Sequence, residues 1–489
     1  MSYTPTEEQV SIIDATLHSE RNLLVSALAG AAKTSTLELI AHALPSTEIL
    51  ALAFNKKMAL EMQSRMPSNV KAMTLNALGH RTWTDATGRH LKINPSKTYE
   101  IASELVKTRS SAEQTILWEQ FAELLRIIDF GKSCGYIPSG HFDQAKALMR
   151  DEDFFGHLEQ RLTTVEEDFI REVTLTSLQM ALKGDCDYND QVLMPTVFQG
   201  AFPRYPIILV DEAQDLSALN HAMLRKMVGK RRLIAVGDPC QAIYGFRGAH
   251  EESMSLLREE FDMQELPLTI SFRCPQEVVK HVRWRAPQMR WPEWAKPGQV
   301  RSLSSWTSAV PEEDAVIICR NNAPLFNIAI KFLKNGRTCE LYGKDVVTSL
   351  TKVMRKFGGH DLPQHMVLQK IEVWLATEME KNKARAHDRL RDRAECMKVF
   401  ALEGATLGDA LAYAQHLSQL HSPLKLMTGH SAKGLEFEHV YFLDQHLINK
   451  QDQDPNLRYV ICTRAKESLT YIRSEDFLTN GEYDDSMVA

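Results

Sequence analysis

Long apolar runs are missing from this sequence. No stretch is long enough to cross a bilayer, so no membrane-spanning helix is expected. The first residues, Met1-Ser2-Tyr3-Thr4-Pro5, lack the basic-then-apolar layout of a secretory leader. The eight cysteines are scattered singly, with no CxxC pair and no clustered histidines. That argues against a structural zinc or iron–sulfur framework and for a reducing, cytosol-like compartment. An excess of positive charge is missing too. The formal net charge is −6, so the molecule as a whole does not attract a polyanion, and any nucleic-acid site must be a local groove. What remains is ordinary globular composition, 44% hydrophobic and 25% charged, with no low-complexity tract. At 489 residues the chain is too long for one compact core and long enough for several domains.

Several short apolar runs, bounded by turn or helix-start residues, have the character of buried parallel strands. They are Leu23-Leu24-Val25, Ile49-Leu50-Ala51-Leu52, Ile207-Ile208-Leu209-Val210, Leu233-Ile234-Ala235-Val236, Ala315-Val316-Ile317-Ile318 and Val440-Tyr441-Phe442-Leu443. Helical patterns lie between them, around Leu37 to Ala43 and Ala59 to Arg65. Alternation of this kind predicts doubly wound α/β layers, with ligands at the carboxyl ends of the strands. Two stretches are helical instead, one from about residue 95 to 185 and one from about 345 to 420. The first is helical in pattern over Glu113 to Phe130 and Phe154 to Glu172, and the second includes the charged run Lys381 to Arg393, which has the character of a solvated helix face.

Polar clusters fall where strands end. Ala27-Leu28-Ala29-Gly30-Ala31-Ala32-Lys33-Thr34-Ser35 follows a strand and opens a helix. Small residues there let backbone N–H groups approach phosphate oxygens, and the helix N-terminus adds positive potential. Lys33 would reach the β- and γ-phosphates of ATP, and Thr34 would hold Mg²⁺. Ala32 stands where the usual pattern has glycine, so a β-carbon enters the loop. A second strand delivers Asp211-Glu212-Ala213-Gln214-Asp215 to its tip. Adjacent buried carboxylates are costly without a cation or water to act on. Asp211 suits Mg²⁺, and Glu212 suits polarising the attacking water.

From here the sequence resembles superfamily 1A helicases, the UvrD/Rep-like group, in an ordered series of segments. Val236-Gly237-Asp238-Pro239-Cys240-Gln241-Ala242-Ile243-Tyr244-Gly245-Phe246-Arg247-Gly248-Ala249 is similar to that family's third motif, and Ser271-Phe272-Arg273-Cys274-Pro275 to its fourth. Cys319-Arg320-Asn321-Asn322-Ala323 resembles a segment of its second motor domain. Thr428-Gly429-His430-Ser431-Ala432-Lys433-Gly434-Leu435-Glu436-Phe437 looks like the fifth motif, and Leu457 through Lys466 like the sixth. The Ala53-Phe54-Asn55-Lys56 form is nearer to F-box-type DNA helicases and phage-like relatives.

The resemblance implies two RecA-like motor domains with ATP and Mg²⁺ bound between them. It implies residues 1–84 and 188–270 as the first motor domain, with 85–187 a helical insertion. It implies 271–344 and 421–489 as the second, with 345–420 a small helical insertion whose regulatory role is reduced. Gln9 would contact adenine, Phe272 would stack on it, Gln241 would sense the γ-phosphate and Glu436 would bind the ribose. Arg273 and Arg464 would be arginine fingers. Single-stranded DNA would meet Phe54, Asn55 and Lys56; Thr74, Asn76 and His80; Tyr244, Phe246 and Arg247; and His430 and Ser431. Base stacking on such aromatics is worth about 1–3 kcal/mol per base.

The expected protein is therefore a 3′→5′ single-strand motor that also engages duplex junctions, works as a monomer and makes no membrane contact. Its place would be the cytosol of a bacterial or phage-infected cell, or a nucleus. Two alternatives are a translocase that strips proteins without unwinding, and a non-catalytic strand-binding protein with a degenerate phosphate loop. The stretch Arg283 to Trp294 interleaves bases and aromatics, and is expected to be a helix end packed on its own domain rather than a nucleic-acid surface.

Overall fold

The computed structural model describes residues 4–198, 200–243, 252–448 and 454–478. The chain divides into two compact units, residues 1–28, 32–158 and 162–268 in one, and 29–31, 159–161 and 269–489 in the other.

The first unit contains strands β1 (Leu23–Ala27), β2 (Ile49–Ala53) and β3 (Val70–Thr74), then a short pair, β4 (Lys92–Ile93) with β5 (Asp185–Cys186). It continues with β6 (Ile207–Val210), β7 (Arg232–Gly237) and β8 (Gln264–Leu268). Six of these form one sheet in the order β3-β2-β6-β7-β1-β8, and every pairing is parallel. The central strands β2 and β6 are buried along their whole length, which is why they appear in the sequence as unbroken apolar runs. The outer strands are harder to read. β3 is mostly half-exposed, and β8 contains Pro267, which an edge strand tolerates because one side needs no ladder donors.

Helices Lys97–Lys107, Ser111–Ser133, Asp151–His157, Thr164–Leu182 and Tyr188–Val197 make up the helical part of this unit. Leu117, Leu124, Ile128, Phe154, Phe169 and Val173 form its apolar core. Beside that core lies a buried charge network. Lys97 is bonded to Asp190 and to the carbonyls of Ser177 and Asp185, and Lys132 to Asp187, Asp190 and the Ser177 hydroxyl. The helix expected from Phe154 to Glu172 is in fact two. The Thr163 hydroxyl and the Glu166 carboxylate form a capping box that starts the second one afresh.

The second unit has β9 (Gln299–Ser302), β10 (Val316–Cys319), β11 (Glu340–Leu341), β12 (Lys425–Thr428), β13 (Phe437–Leu443) and β14 (Ala465–Ile472). They form a parallel sheet in the order β11-β12-β10-β13-β14-β9. Trp306, Phe326, Phe332, Phe400 and Tyr441 anchor the core that runs from this sheet into its helices. The run Lys381 to Arg393 is not one helix. Helix Gln364–Lys381 stops at Asn382, whose side-chain amide donates to the Glu378 carbonyl, and helix His387–Ala401 begins after a short 3₁₀ turn. Helix Gln276–Val282 stops before the basic-aromatic stretch, so Arg283 to Trp294 does not continue it. Lys280 and Arg283 lie over the Trp291 ring, while Trp284 and Trp294 are exposed. Among the described residues no helix is long and apolar enough to cross a membrane.

Candidate nucleotide and strand sites

β1 ends at Ala27, and after five intervening residues helix Lys33–Ala43 starts at Lys33. Its N-cap, Ala32, has φ 56° and ψ 42°, the left-handed region, with no side-chain cap. That conformation costs a residue with a β-carbon roughly 1–2 kcal/mol relative to glycine. The first turn is braced from the side by Gln9, which is buried. Its Nε2 donates to Thr36 Oγ1 at 3.0 Å, and its Oε1 accepts from the Thr6 N–H at 3.0 Å. Ser35 Oγ accepts from Arg65 at 3.1 Å.

Lys33 Nζ donates to Glu212 Oε2 at 2.5 Å. Burial pulls the Lys33 ammonium down, but Glu212, Asp211 and Asp238 outweigh it and hold the pKa above its ordinary value. Asp211 stands at the tip of β6 with its N–H bonded to the Leu52 carbonyl and its Oδ1 accepting from the Glu212 N–H. Burial, and then the neighbouring Glu212, push its pKa up to about 6, against a smaller opposing pull from Lys33. Lys33 only partly compensates this carboxylate, and a divalent cation would complete the compensation. Glu212 itself has φ 51°, another left-handed position without glycine.

The polar chain continues. Gln214 Nε2 donates to Glu212 Oε2 at 2.6 Å, while Gln214 Oε1 accepts from the Asp238 N–H at 3.0 Å. Asp238 Oδ2 accepts from Gln241 Nε2 at 2.7 Å. Lys33, Glu212, Gln214, Asp238 and Gln241 are therefore one connected network at the carboxyl ends of β6 and β7. Gly237 makes the close approach possible, since a β-carbon there would sit 2.6 Å from Gln214 Oε1. Gln214 and Asp238 lie in the motif segments but carry no role that their residue types alone would reveal. Their signal was position alone, next to groups that need orienting.

Among the described residues no group of three or more His, Cys, Asp or Glu side chains is placed to hold a metal. Asp211 and Thr34 would thus hold Mg²⁺ only together with phosphate oxygens of the nucleotide, as that ion prefers.

On the same sheet, Phe54, Asn55 and Lys56 are exposed just beyond β2, and Asn55 caps helix Lys56–Arg65 through the Met58 N–H. Ala53 pairs with Thr74 across β2 and β3, so both segments leave the same sheet edge. Thr74 caps helix Leu75–Thr87, which carries Asn76 and His80. Asn76 donates to the Tyr188 carbonyl at 2.7 Å, and His80 Nδ1 lies 3.3 Å from Gln191 Nε2. Both are thereby joined to helix Tyr188–Val197. Tyr244, Phe246 and Arg247 lie outside the described residues.

In the second unit Arg273 Nε donates to Glu436 Oε2 at 2.7 Å. Arg464 is buried, with its guanidinium bonded to the carbonyls of Val460 and Leu435 at 2.9 and 3.0 Å. Leu435 precedes Glu436, so Arg464 braces the segment that carries the Arg273 partner. Phe272 is half-buried, with the exposed Trp294 ring 6.2 Å away. His430 and Ser431 sit on the short helix Gly429–Ala432 at the end of β12, capped by Thr428.

Comparison with known proteins places this geometry. Residues 7–262 match the UvrD/REP helicase N-terminal domain, and residues 324–473 match the viral superfamily 1 RNA helicase core domain. F-box DNA helicase protein 1 of Schizosaccharomyces pombe is 24% identical, over 95% of this chain and 57% of its own. F-box DNA helicase 1 of Gallus gallus is 23% identical, over 97% and 49%. DNA helicase II of Haemophilus influenzae is 24% identical, over 53% and 37%. The chain spans about half the length of the F-box helicases it matches. With more than half its length inside the first match, and two parallel α/β sheets of the RecA-like kind, the chain belongs to the UvrD/REP helicase family.

Proposed function

We propose that this protein is a Mg²⁺-ATP-dependent motor that moves along single-stranded DNA and opens duplex at junctions, with 3′→5′ polarity, acting as a monomer. Residues 1–84 and 188–270 serve as its first motor domain and 271–344 with 421–489 as its second, with helical insertions at 85–187 and 345–420. The observation that carries this reading is the network from Lys33 through Glu212, Gln214 and Asp238 to Gln241. It ties a phosphate-binding lysine, a carboxylate suited to polarise water and a γ-phosphate sensor into one rigid frame.

In this scheme Lys33 and the loop ending at Ala32 hold the phosphates, and Thr34 and Asp211 hold the Mg²⁺ that arrives with them. Glu212 accepts the proton of the attacking water. Arg273 and Arg464 stabilise charge on the transferring phosphoryl group, and Glu436 and Phe272 hold the nucleoside with Gln9. Phe54, Lys56, Asn76, His80, His430 and Ser431 contact the strand, together with Tyr244, Phe246 and Arg247. The motor works wherever its DNA lies, in a bacterial or phage-infected cytosol or in a nucleus.

A second reading has one observation in its favour. The left-handed Ala32 supports a strand-binding protein with little turnover. Steady-state ATPase with and without single-stranded DNA separates the two. Strong stimulation is expected; intact strand binding with no stimulated turnover would establish the second reading. Partial duplexes with opposite overhangs decide polarity, and distinguish unwinding from a translocase that only strips bound proteins.

A further inference from the structure

The turn that carries Glu212 is held from behind by two residues outside the network described above. Helices Ala218–Val228 and Ser253–Glu260 contribute His221 and Ser253, both buried. Ser253 Oγ donates to the carbonyl of Ala213 at 2.7 Å. His221 Nε2 lies 2.9 Å from the same hydroxyl. A serine has one proton to give, and the carbonyl takes it, so the bond to His221 requires an N–H at Nε2. The direction of the relay is thereby set: imidazole N–H to serine oxygen, serine O–H to the carbonyl of the residue after Glu212.

Ala213 is fully buried and opens the 3₁₀ turn Ala213–Asp215, whose N-cap is the left-handed Glu212. A strained backbone persists only where its surroundings over-determine it. The Glu212 N–H is fixed by Asp211 Oδ1 and the Glu212 carbonyl by the Asp215 N–H, while the next carbonyl is fixed by Ser253. We infer that His221 and Ser253 are positioning residues for ATP hydrolysis, acting through the backbone of Ala213 to aim the Glu212 carboxylate. The inference rests on the proposed role of Glu212.

The test uses the full chain and strand-stimulated turnover. Ser253→Ala is expected to lower kcat roughly 10- to 100-fold, as small misplacements of a catalytic group do, with KM for ATP and strand affinity little changed. His221→Leu should behave likewise, and His221→Gln, which keeps an N–H donor, should recover much of the loss. In a Glu212→Gln background, Ser253→Ala should cause no further loss, because both changes remove the same function. Full turnover of both Ser253→Ala and His221→Leu, beside an impaired Glu212→Gln, would overturn this inference alone. So would an equal fold-loss from Ser253→Ala in the two backgrounds, or His221→Gln failing as badly as His221→Leu. Undiminished turnover of Glu212→Gln would overturn the role of Glu212 and this inference with it.

Discussion

Lys33 and Glu212 form an ion pair at 2.5 Å, so the lysine proposed to bind phosphate and the proposed base neutralise one another. On the proposed reading, phosphate binding would draw Lys33 away from Glu212 and leave that carboxylate to polarise water. Glu212→Gln removes the competing charge and the base together. Its affinity for a fluorescent ATP analogue is expected to rise, while turnover falls about 10²- to 10⁴-fold, the usual contribution of a general base. Weaker binding joined to normal turnover would assign Glu212 to structure instead.

The pair Arg273 and Glu436 is partly solvent-exposed, with side chains 21% and 48% accessible, and an ion pair of that kind adds little stability. Arg273→Ala should therefore leave the thermal midpoint nearly unchanged and reduce kcat by about 10³-fold, as loss of an arginine finger does. A large drop in Tm with intact turnover would contradict this. Arg464 behaves differently, because its guanidinium satisfies buried carbonyls. Truncating it to alanine should cost about 1–3 kcal/mol of stability in addition to activity, measured by denaturant titration.

Ala32→Gly relieves a left-handed strain of roughly 1–2 kcal/mol but adds chain entropy to the unfolded state, worth about 0.4–1 kcal/mol. The two nearly balance, with a small surplus for the variant. Unfolding by urea should show equal or slightly higher stability, and titration with ATP should show tighter binding. A clear loss of either would mean that the loop is adapted to the methyl group.

The buried network of Lys132, Lys97, Asp187 and Asp190 predicts a stability plateau. For Lys132, burial lowers the pKa, but Asp190 and Asp187 raise it further, so its contribution is complete below its ordinary value and fades in strong alkali. For Asp187, burial raises the pKa, but Lys132 and Lys97 lower it further, so its contribution is present above the usual carboxylate range and is lost in acid. Stability should be flat from about pH 5 to 9 with respect to these two groups and fall outside it. Lys132→Met leaves uncompensated buried carboxylates and should cost about 3–5 kcal/mol at neutral pH, followed by urea denaturation across pH. A variant as stable as the parent at pH 7 would show that the network is dispensable.

The sequence made the inner strands legible because burial on both faces forces unbroken apolar runs such as Ile207 to Val210. It hid β3, β8 and β14, whose exposed or polar positions (Lys71, Pro267, Lys466 and Glu467) break the pattern. Helix breaks at Thr163 and Asn382 were hidden for another reason. They depend on side chains reaching backbone groups, which periodicity does not encode. At the site, motif order carried residue types but not connections. The link from Glu212 to Asp238 through Gln214, and the tether from Ser253 to Ala213, join segments that only the folded sheet brings together.

The strand order of the first sheet has a consequence for biosynthesis. β2 needs β6 as a neighbour, and β1 needs β7 and β8, yet all three are encoded after the helical stretch ending near Val197. On the ribosome, Leu23–Ala27 emerges well before both of its neighbours. Ile49–Ala53 emerges before one of its two, β3 following it directly, while the helical stretch is made in the interval. The first sheet is thus expected to close late, and the interval before residue 207 leaves the chain is when its apolar strands are most open to aggregation or chaperone capture.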